Sequence, residues 1–218
     1  MPGVTEAAPL LVDGPDTAPL RLLLAHGAGA PMDSPFMAAI AGGLAERGWQ
    51  VLRFEFPYMA RQRQTGRRCA PDRLPKLEQA WREQVALAGA GAPLLIGGKS
   101  MGGRVASLLV DELADAAAVI GCACLGYPFH PPGKPQQLRT EHLAALRTPT
   151  LILQGERDSF GRHGEVEAYT LSPQIELEWL PAGDHSFKPT VSSGRSEADN
   201  LDAACAAVDR FGRGLLKR

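Results

Sequence analysis

The chain has 218 residues, with 23 basic and 24 acidic side chains, a formal net charge of −1, and 44% hydrophobic against 22% charged residues. Balanced charge excludes a polybasic nucleic-acid binder, and the composition is that of a chain with a core rather than a disordered one. The longest nearly apolar stretch, Ala116 to Gly126, falls far short of the roughly 20 residues that cross a bilayer.

The length suits a single α/β domain over residues 1–218, with 1–18 as an N-terminal arm or edge element. Met1 to Leu20 has no Lys or Arg and carries Glu6, Asp13 and Asp16 among four prolines, unlike a secretory leader. Cys122 and Cys124 sit in an apolar run and read as small buried hydrophobes. No further Cys or His pair stands at metal-finger spacing. A cytoplasmic protein with neither metal nor cofactor is expected.

In chain order, short apolar runs alternate with longer stretches of helical period. Leu20 to Ala25 reads as a buried strand, and Phe36 to Arg47 as a helix stopped by Gly48. Trp49 to Phe56 is the next strand. A loop rich in arginine (Arg61, Arg63, Arg67, Arg68, Arg73) leads to a helix over Leu74 to Leu87, with Asp72 as its cap. Pro93 to Ile96 is a strand and Arg104 to Leu113 the helix behind it. Ala117 to Leu125 is a strand, Glu141 to Leu146 a short helix, and Thr150 to Gln154 a strand. Gly164 to Leu171 is a helix, Ile175 to Leu180 the last strand, and Glu197 to Leu216 the closing helix.

This alternation predicts a mostly parallel sheet of about six to seven strands with helices on both faces. Right-handed crossovers put every strand-to-helix loop on one sheet edge, where open α/β sheets bind ligands. A residue that does chemistry is therefore expected just after the end of a strand.

The turn Gly98-Lys99-Ser100-Met101-Gly102 meets that condition. A phosphate-binding P-loop would need a glycine at position 93, which is proline. Gly-x-Ser-x-Gly between a strand and a helix instead fits a nucleophile elbow. There the serine sits on a strained turn, and the chain passes so close at both flanks that the glycines can hardly carry a Cβ. The Met101 N–H, at the start of a helix, would face a substrate oxygen. His26-Gly27-Ala28-Gly29-Ala30 follows the first long strand. Met32 occupies the third glycine position of a dinucleotide fingerprint, so an oxyanion loop fits better, with Ala28 as the second donor. His26 reads as bracing that loop rather than as catalytic.

A serine needs a base, and the base an orienting carboxylate. After Ser100, the strand at 150–154 runs into Gly155-Glu156-Arg157-Asp158, and the strand at 175–180 into Gly183-Asp184-His185-Ser186. Asp158 is then the acid and His185 the base. Glu156 is the rival acid, nearer the strand end, and Asp184 reads as a loop brace. His142 and His163 read as surface residues. His130, on an edge loop, is a candidate for substrate contact, as are Lys99, Arg67 and Arg68; a plain solvated loop is the competing reading for the arginines.

With these residues in view, the sequence resembles the small, capless, dienelactone-hydrolase-like α/β-hydrolases. More narrowly it is similar to a group shared by bacterial proteins and animal testis-expressed and non-specific-lethal-complex proteins. The likeness rests on 98–102, on Gly126-Tyr127-Pro128-Phe129-His130-Pro131, on Leu138-Arg139-Thr140-Glu141-His142-Leu143, and on 155–158 and 184–187. It spans roughly Leu20 to Gly212. It implies a Ser–His–Asp triad matched by Ser100, His185 and Asp158, a fold without a cap domain, and no particular substrate. Ala28, where lipases often have glycine, departs from the pattern, as does the lack of a full-length strand pair before Leu20. The expected activity is hydrolysis of a small ester or thioester through an acyl-enzyme. Acyl transfer to an alcohol or amine would use the same machinery. The alternative is a hydrolase-like interaction scaffold without turnover, since some animal relatives act within protein assemblies.

Overall fold

In the computed structural model, which describes residues 10–116 and 119–217, seven strands form one sheet in the order β1-β3-β2-β4-β5-β6-β7. They are β1 (Leu11–Asp13), β2 (Arg21–Ala25), β3 (Gln50–Phe54), β4 (Leu94–Lys99), β5 (Val119–Leu125), β6 (Thr150–Gly155) and β7 (Ile175–Leu180). Only β1 is antiparallel: its three residues pair with the β3 edge, so the N-terminal arm contributes an edge element. The expected start of β5 at Ala117 lies outside the described residues. Between the strands run α1 (Pro35–Glu46), α2 (Pro57–Thr65), α3 (Leu74–Ala88), α4 (Met101–Ala116), α5 (His163–Val166) and α6 (Glu197–Leu215).

The continuous apolar strands explain the layers. Along β2, Leu23 and Ala25 pack on one side of the sheet with Phe54, Trp81 and Val105. Leu22 and Leu24 pack on the other with Trp49, Leu44 and Phe211. Helices α3 and α4 thus cover one face and α1 and α6 the other, and because both faces are buried the strands show no polar alternation. Burying each such leucine or phenylalanine contributes about 1.5–3 kcal/mol. The register brings the strand ends level: Ala25 lies beside Phe54 and Gly98, Lys99 beside Leu125, and Gly155 beside Leu180.

Four elements differ from expectation. The arginine-rich segment is not all loop, since 57–65 is α2, opened by Pro57 and ended by Gly66 at φ +66°. Its surface is so polar that no apolar stripe announces it; Pro at the first turn and a left-handed Gly at the end are the signals that remain. Asp72 caps nothing: Arg73 is the N-cap of α3, without a side-chain cap bond. The helix expected over 164–171 is a single turn, His163–Val166, and the segment at 141–145 is 3-10. Between β5 and β6 no strand or α-helix forms a cap. Among the described residues no helix is long and apolar enough to cross a membrane.

Candidate active site

Ser100 sits between β4 and α4 with φ +51°, a conformation few residues other than glycine, asparagine or aspartate accept. Its N–H donates to the Leu125 carbonyl at 3.0 Å and its carbonyl accepts from Arg104 N–H at 2.9 Å, which pins the turn between β5 and α4. A Cβ on Gly98 would lie 2.5 Å from the Ala25 carbonyl oxygen, and one on Gly102 2.6 Å from the Ala25 and His26 carbonyl oxygens. These contacts are with backbone and cannot yield, so both positions must be glycine and the serine is left to take the strained conformation between them.

Asp158 follows β6 and His185 follows β7, and the level strand ends bring both to Ser100. His185 Nε2 lies 2.9 Å from Ser100 Oγ, and His185 Nδ1 lies 2.7 Å from Asp158 Oδ2. With Nδ1–H donating to the carboxylate, Nε2 is left as the acceptor for the serine hydroxyl. The Asp158 side chain is 0% exposed. It is held by Gln154 Nε2 on Oδ2 at 2.8 Å and by the Phe160 N–H on Oδ1 at 2.9 Å. The Phe160 ring stacks on the imidazole at 4.2 Å between centroids. Burial lowers the His185 pKa below its ordinary value of 6.5, against the hydrogen bond that His185 donates to Asp158, and the charge of Lys99 adds to the lowering. The imidazole is thus held neutral and able to take a proton.

The rivals have other duties. Glu156 is exposed and accepts from Ala182 N–H at 2.7 Å. Asp184 accepts from the Ser186 and Lys188 N–H groups at 2.8 and 3.0 Å, bracing the histidine loop. His26 is buried, its Nδ1–H donating to the Gly27 carbonyl at 2.7 Å while Nε2 accepts from Phe56 N–H at 3.1 Å. Tyr58 adds a bond to the Ala28 carbonyl at 3.0 Å. The loop that carries Ala28 is therefore fixed from beneath. His163 lies over Trp179 on the surface. His142 is half-buried rather than on the surface, with its Nε2 2.9 Å from Ser107 Oγ; burial, helped by the Arg104 charge, takes its pKa down to about 4.

A cavity of about 410 Å³ opens over Ser100, lined by Ala28, Met101, Pro128 and Phe160, by Leu74, Leu77 and Val105, and by Asp72, Arg104 and Arg139. The candidates for substrate contact are placed otherwise. Lys99 is buried, and its ammonium donates to the His185 carbonyl and lies over the Phe36 and Phe187 rings at 5.2 and 5.7 Å. Burial lowers its pKa to about 8. In a strand end that enters a turn, alternate side chains face opposite sides, so Lys99 supports the histidine loop from below while Ser100 faces the cavity. His130 is also buried: Nδ1–H donates to the Pro131 carbonyl at 2.9 Å and Nε2 lies 3.4 Å from Glu165. It ties the 126–131 loop to α5 and does not reach the cavity. Arg67 is exposed outside it, and Arg68 lines a separate cavity of about 650 Å³ that shares only Ala28 with the first. Arg61 and Arg63 are taken by Asp72 and by Asp33 with Glu55.

The cavity residues that sequence reading passed over are Arg104, Arg139 and Asp72. For Arg104 a signal existed, since a residue four after Ser100 on a helix shares its face. For Arg139 and Asp72 the signal lay only in how loops fold over the sheet edge. No group of three or more metal-ligating side chains is present among the described residues.

The strand order, the elbow and the single-edge placement of the loops define the α/β-hydrolase fold. The chain belongs to the family described as "Alpha/beta hydrolase domain", which matches residues 18–213. Solved structures agree. Est1E from Butyrivibrio proteoclasticus is 16% identical, with a TM-score of 0.70 over 96% of this chain and 94% of that one. The dienelactone hydrolase from Anabaena variabilis is 19% identical, with a TM-score of 0.69 over 93% and 89%. A lidless a/b serine hydrolase from Xanthomonas campestris is 22% identical, with a TM-score of 0.64 over 93% and 88%. At such identities the likeness is one of fold. Between β5 and β6 the chain, too, has no cap domain; the likeness to the animal group rests on the motifs at 126–131 and 138–143 alone.

Proposed function

We propose that the chain is a single-domain serine hydrolase that cleaves a small ester or thioester through an acyl-enzyme. Ser100 is the nucleophile, His185 the general base and then acid, and Asp158 the group that fixes the imidazole tautomer and steadies the imidazolium. The observation that carries the reading is the unbroken hydrogen-bonded line from Ser100 Oγ through His185 to the buried Asp158, beside a cavity that Ser100 lines.

As Ser100 Oγ bonds to the acyl carbon, its proton passes to His185 Nε2. The carbonyl oxygen takes the negative charge and accepts from the Ala28 and Met101 N–H groups. The bond to the leaving oxygen or sulfur then breaks, and the imidazolium returns the proton to that atom. Water, deprotonated by the same nitrogen, adds to the acyl-enzyme, and the acyl–Oγ bond breaks with the proton going back to Oγ. The half-open cavity, without a cap, suits a short or partly exposed acyl group.

Labelling by a fluorophosphonate tests the assignment. Covalent modification of Ser100, lost in Ser100→Ala, is the expected result. A folded, unlabelled protein that turns over no ester overturns it and leaves the interaction scaffold as the better reading. The acid limb of kcat/KM should fall below 6.5, the ordinary histidine value, because burial lowers the His185 pKa.

A further inference from the structure

The two arginines that are buried among the described residues, Arg21 and Arg53, have an acceptor on every guanidinium nitrogen. Arg21 donates to the Ala88, Gly89 and Ala92 carbonyls at 2.8, 3.1 and 3.0 Å. Arg53 donates to Asp13 at 2.8 Å and to the Met32 carbonyl at 2.9 Å. That is the rule for guanidinium groups taken out of water, because an unmade hydrogen bond to a charged group is expensive. The cavity over Ser100 is lined by two half-buried arginines that lack such partners. Arg104 Nε is sealed from solvent with no acceptor among the described residues, and neither Arg104 nor Arg139 forms a side-chain hydrogen bond or ion pair with any of them. Both cations line the same cavity. The Arg139 pKa is lowered by burial and then by the charge of Arg104.

Asp72, the only carboxylate in that lining, does not answer them. Its Oδ1 is held by Arg61 at 2.8 Å and Lys76 at 3.4 Å, and its buried Oδ2 has no partner. Behind the arginines, Ser107 donates to the Arg104 carbonyl at 2.8 Å and Tyr127 to the Arg139 carbonyl at 2.8 Å. Both backbones are thus fixed while both forks are free.

We propose that Arg104 and Arg139 form an oxyanion subsite within the cavity of Ser100, so that the substrate is an ester bearing a carboxylate or phosphate. The inference rests on the serine-hydrolase reading and names its substrate class. The planar, multi-donor forks match either oxyanion. Arg104 is one helical turn from Ser100, which places the bound charge beside the reacting bond rather than at a remote surface. The charged group accepts hydrogen bonds from the terminal nitrogens of both forks and offsets the repulsion between the cations. A neutral group can accept a hydrogen bond but carries no charge to offset theirs.

Steady-state hydrolysis of matched esters tests it. With the charge on the acyl side, p-nitrophenyl hemisuccinate and p-nitrophenyl phosphonopropanoate are compared with the neutral p-nitrophenyl levulinate. With the charge on the alcohol side, m-acetoxybenzoate and m-acetoxyphenyl phosphate are compared with the neutral m-acetoxybenzamide. Wild-type protein should prefer a charged ester in at least one series by about tenfold or more in kcat/KM, the scale of hydrogen bonds to an ion. Which charged ester leads separates carboxylate from phosphate. Arg104→Met and Arg139→Met, each checked for folding by its thermal transition, should bring that ratio towards one. A ratio near one in wild-type protein in both series overturns the inference and leaves the hydrolase reading standing, as does a preference that survives both substitutions. Failure to hydrolyse any of the six esters, together with an unlabelled Ser100, overturns the hydrolase reading and the subsite with it.

Discussion

The loops after β4, β6 and β7 and the segment after β3 treat charge in opposite ways. The first three each carry one polar side chain whose partner lies on another loop, so Ser100, His185 and Asp158 are completed only by meeting at the sheet edge. The segment at 57–73 carries five arginines, yet Arg61 and Arg63 are spent on Asp72, Asp33 and Glu55 and none of the five lines the cavity. A cluster of charge along the chain is thus a poor guide to a site. What matters is whether the charge is answered where it sits. The two cations left unanswered beside Ser100, Arg104 and Arg139, stand apart from the cluster.

The contrast can be broken most sharply at Asp158. Asp158→Asn removes the carboxylate that sets the imidazole tautomer while conserving shape, and kcat should fall by roughly 10⁴-fold. A modest loss would mean that the line of hydrogen bonds is structural. Arg63→Ala should act the other way. It leaves the Glu55 carboxylate, whose side chain is 2% exposed, without its partner, so stability in a urea titration should drop by about 1–2 kcal/mol. Esterase turnover per folded molecule should stay unaltered, and a fall in kcat would bring the arginine-rich segment back into the site.

The finest probe is Lys99→Met, which keeps the apolar stem between Phe36 and Phe187 and removes the charge. The Lys99 charge lowers the His185 pKa. Its removal raises that pKa, so the acid limb of kcat/KM should move to higher pH, with KM for a neutral ester little affected. An unmoved limb accompanied by lost stability would make Lys99 a purely structural anchor.

Much of this was legible in the residues. Continuous apolar strands at 20–25 and 150–154 announced a sheet buried on both faces, and the glycines at 98 and 102 announced close backbone approach. His26 and Asp184 brace their loops, as their places in the two turns suggest. Three readings failed for one reason: those of Asp72 as a cap and of Lys99 and His130 as substrate contacts each depended on what a side chain meets across the fold, whereas the reading of Arg61–Arg73 as loop failed on local grounds. Pro57 and Gly66 bound a helix too polar to show a stripe. Lys99 and His130 lie next to the expected site along the chain, yet both are turned into the interior.

The amino-acid order alone settled the layer architecture, the elbow and the order in which serine, acid and histidine follow their strands, because these are local demands of backbone geometry and periodicity that few residues can meet. Only the tertiary structure decided which cations are paired and which are free, because a guanidinium finds its partner through space. Arg21 meets carbonyls some 67 to 71 residues away, whereas Arg104 and Arg139 line one cavity and pair with no carboxylate among the described residues.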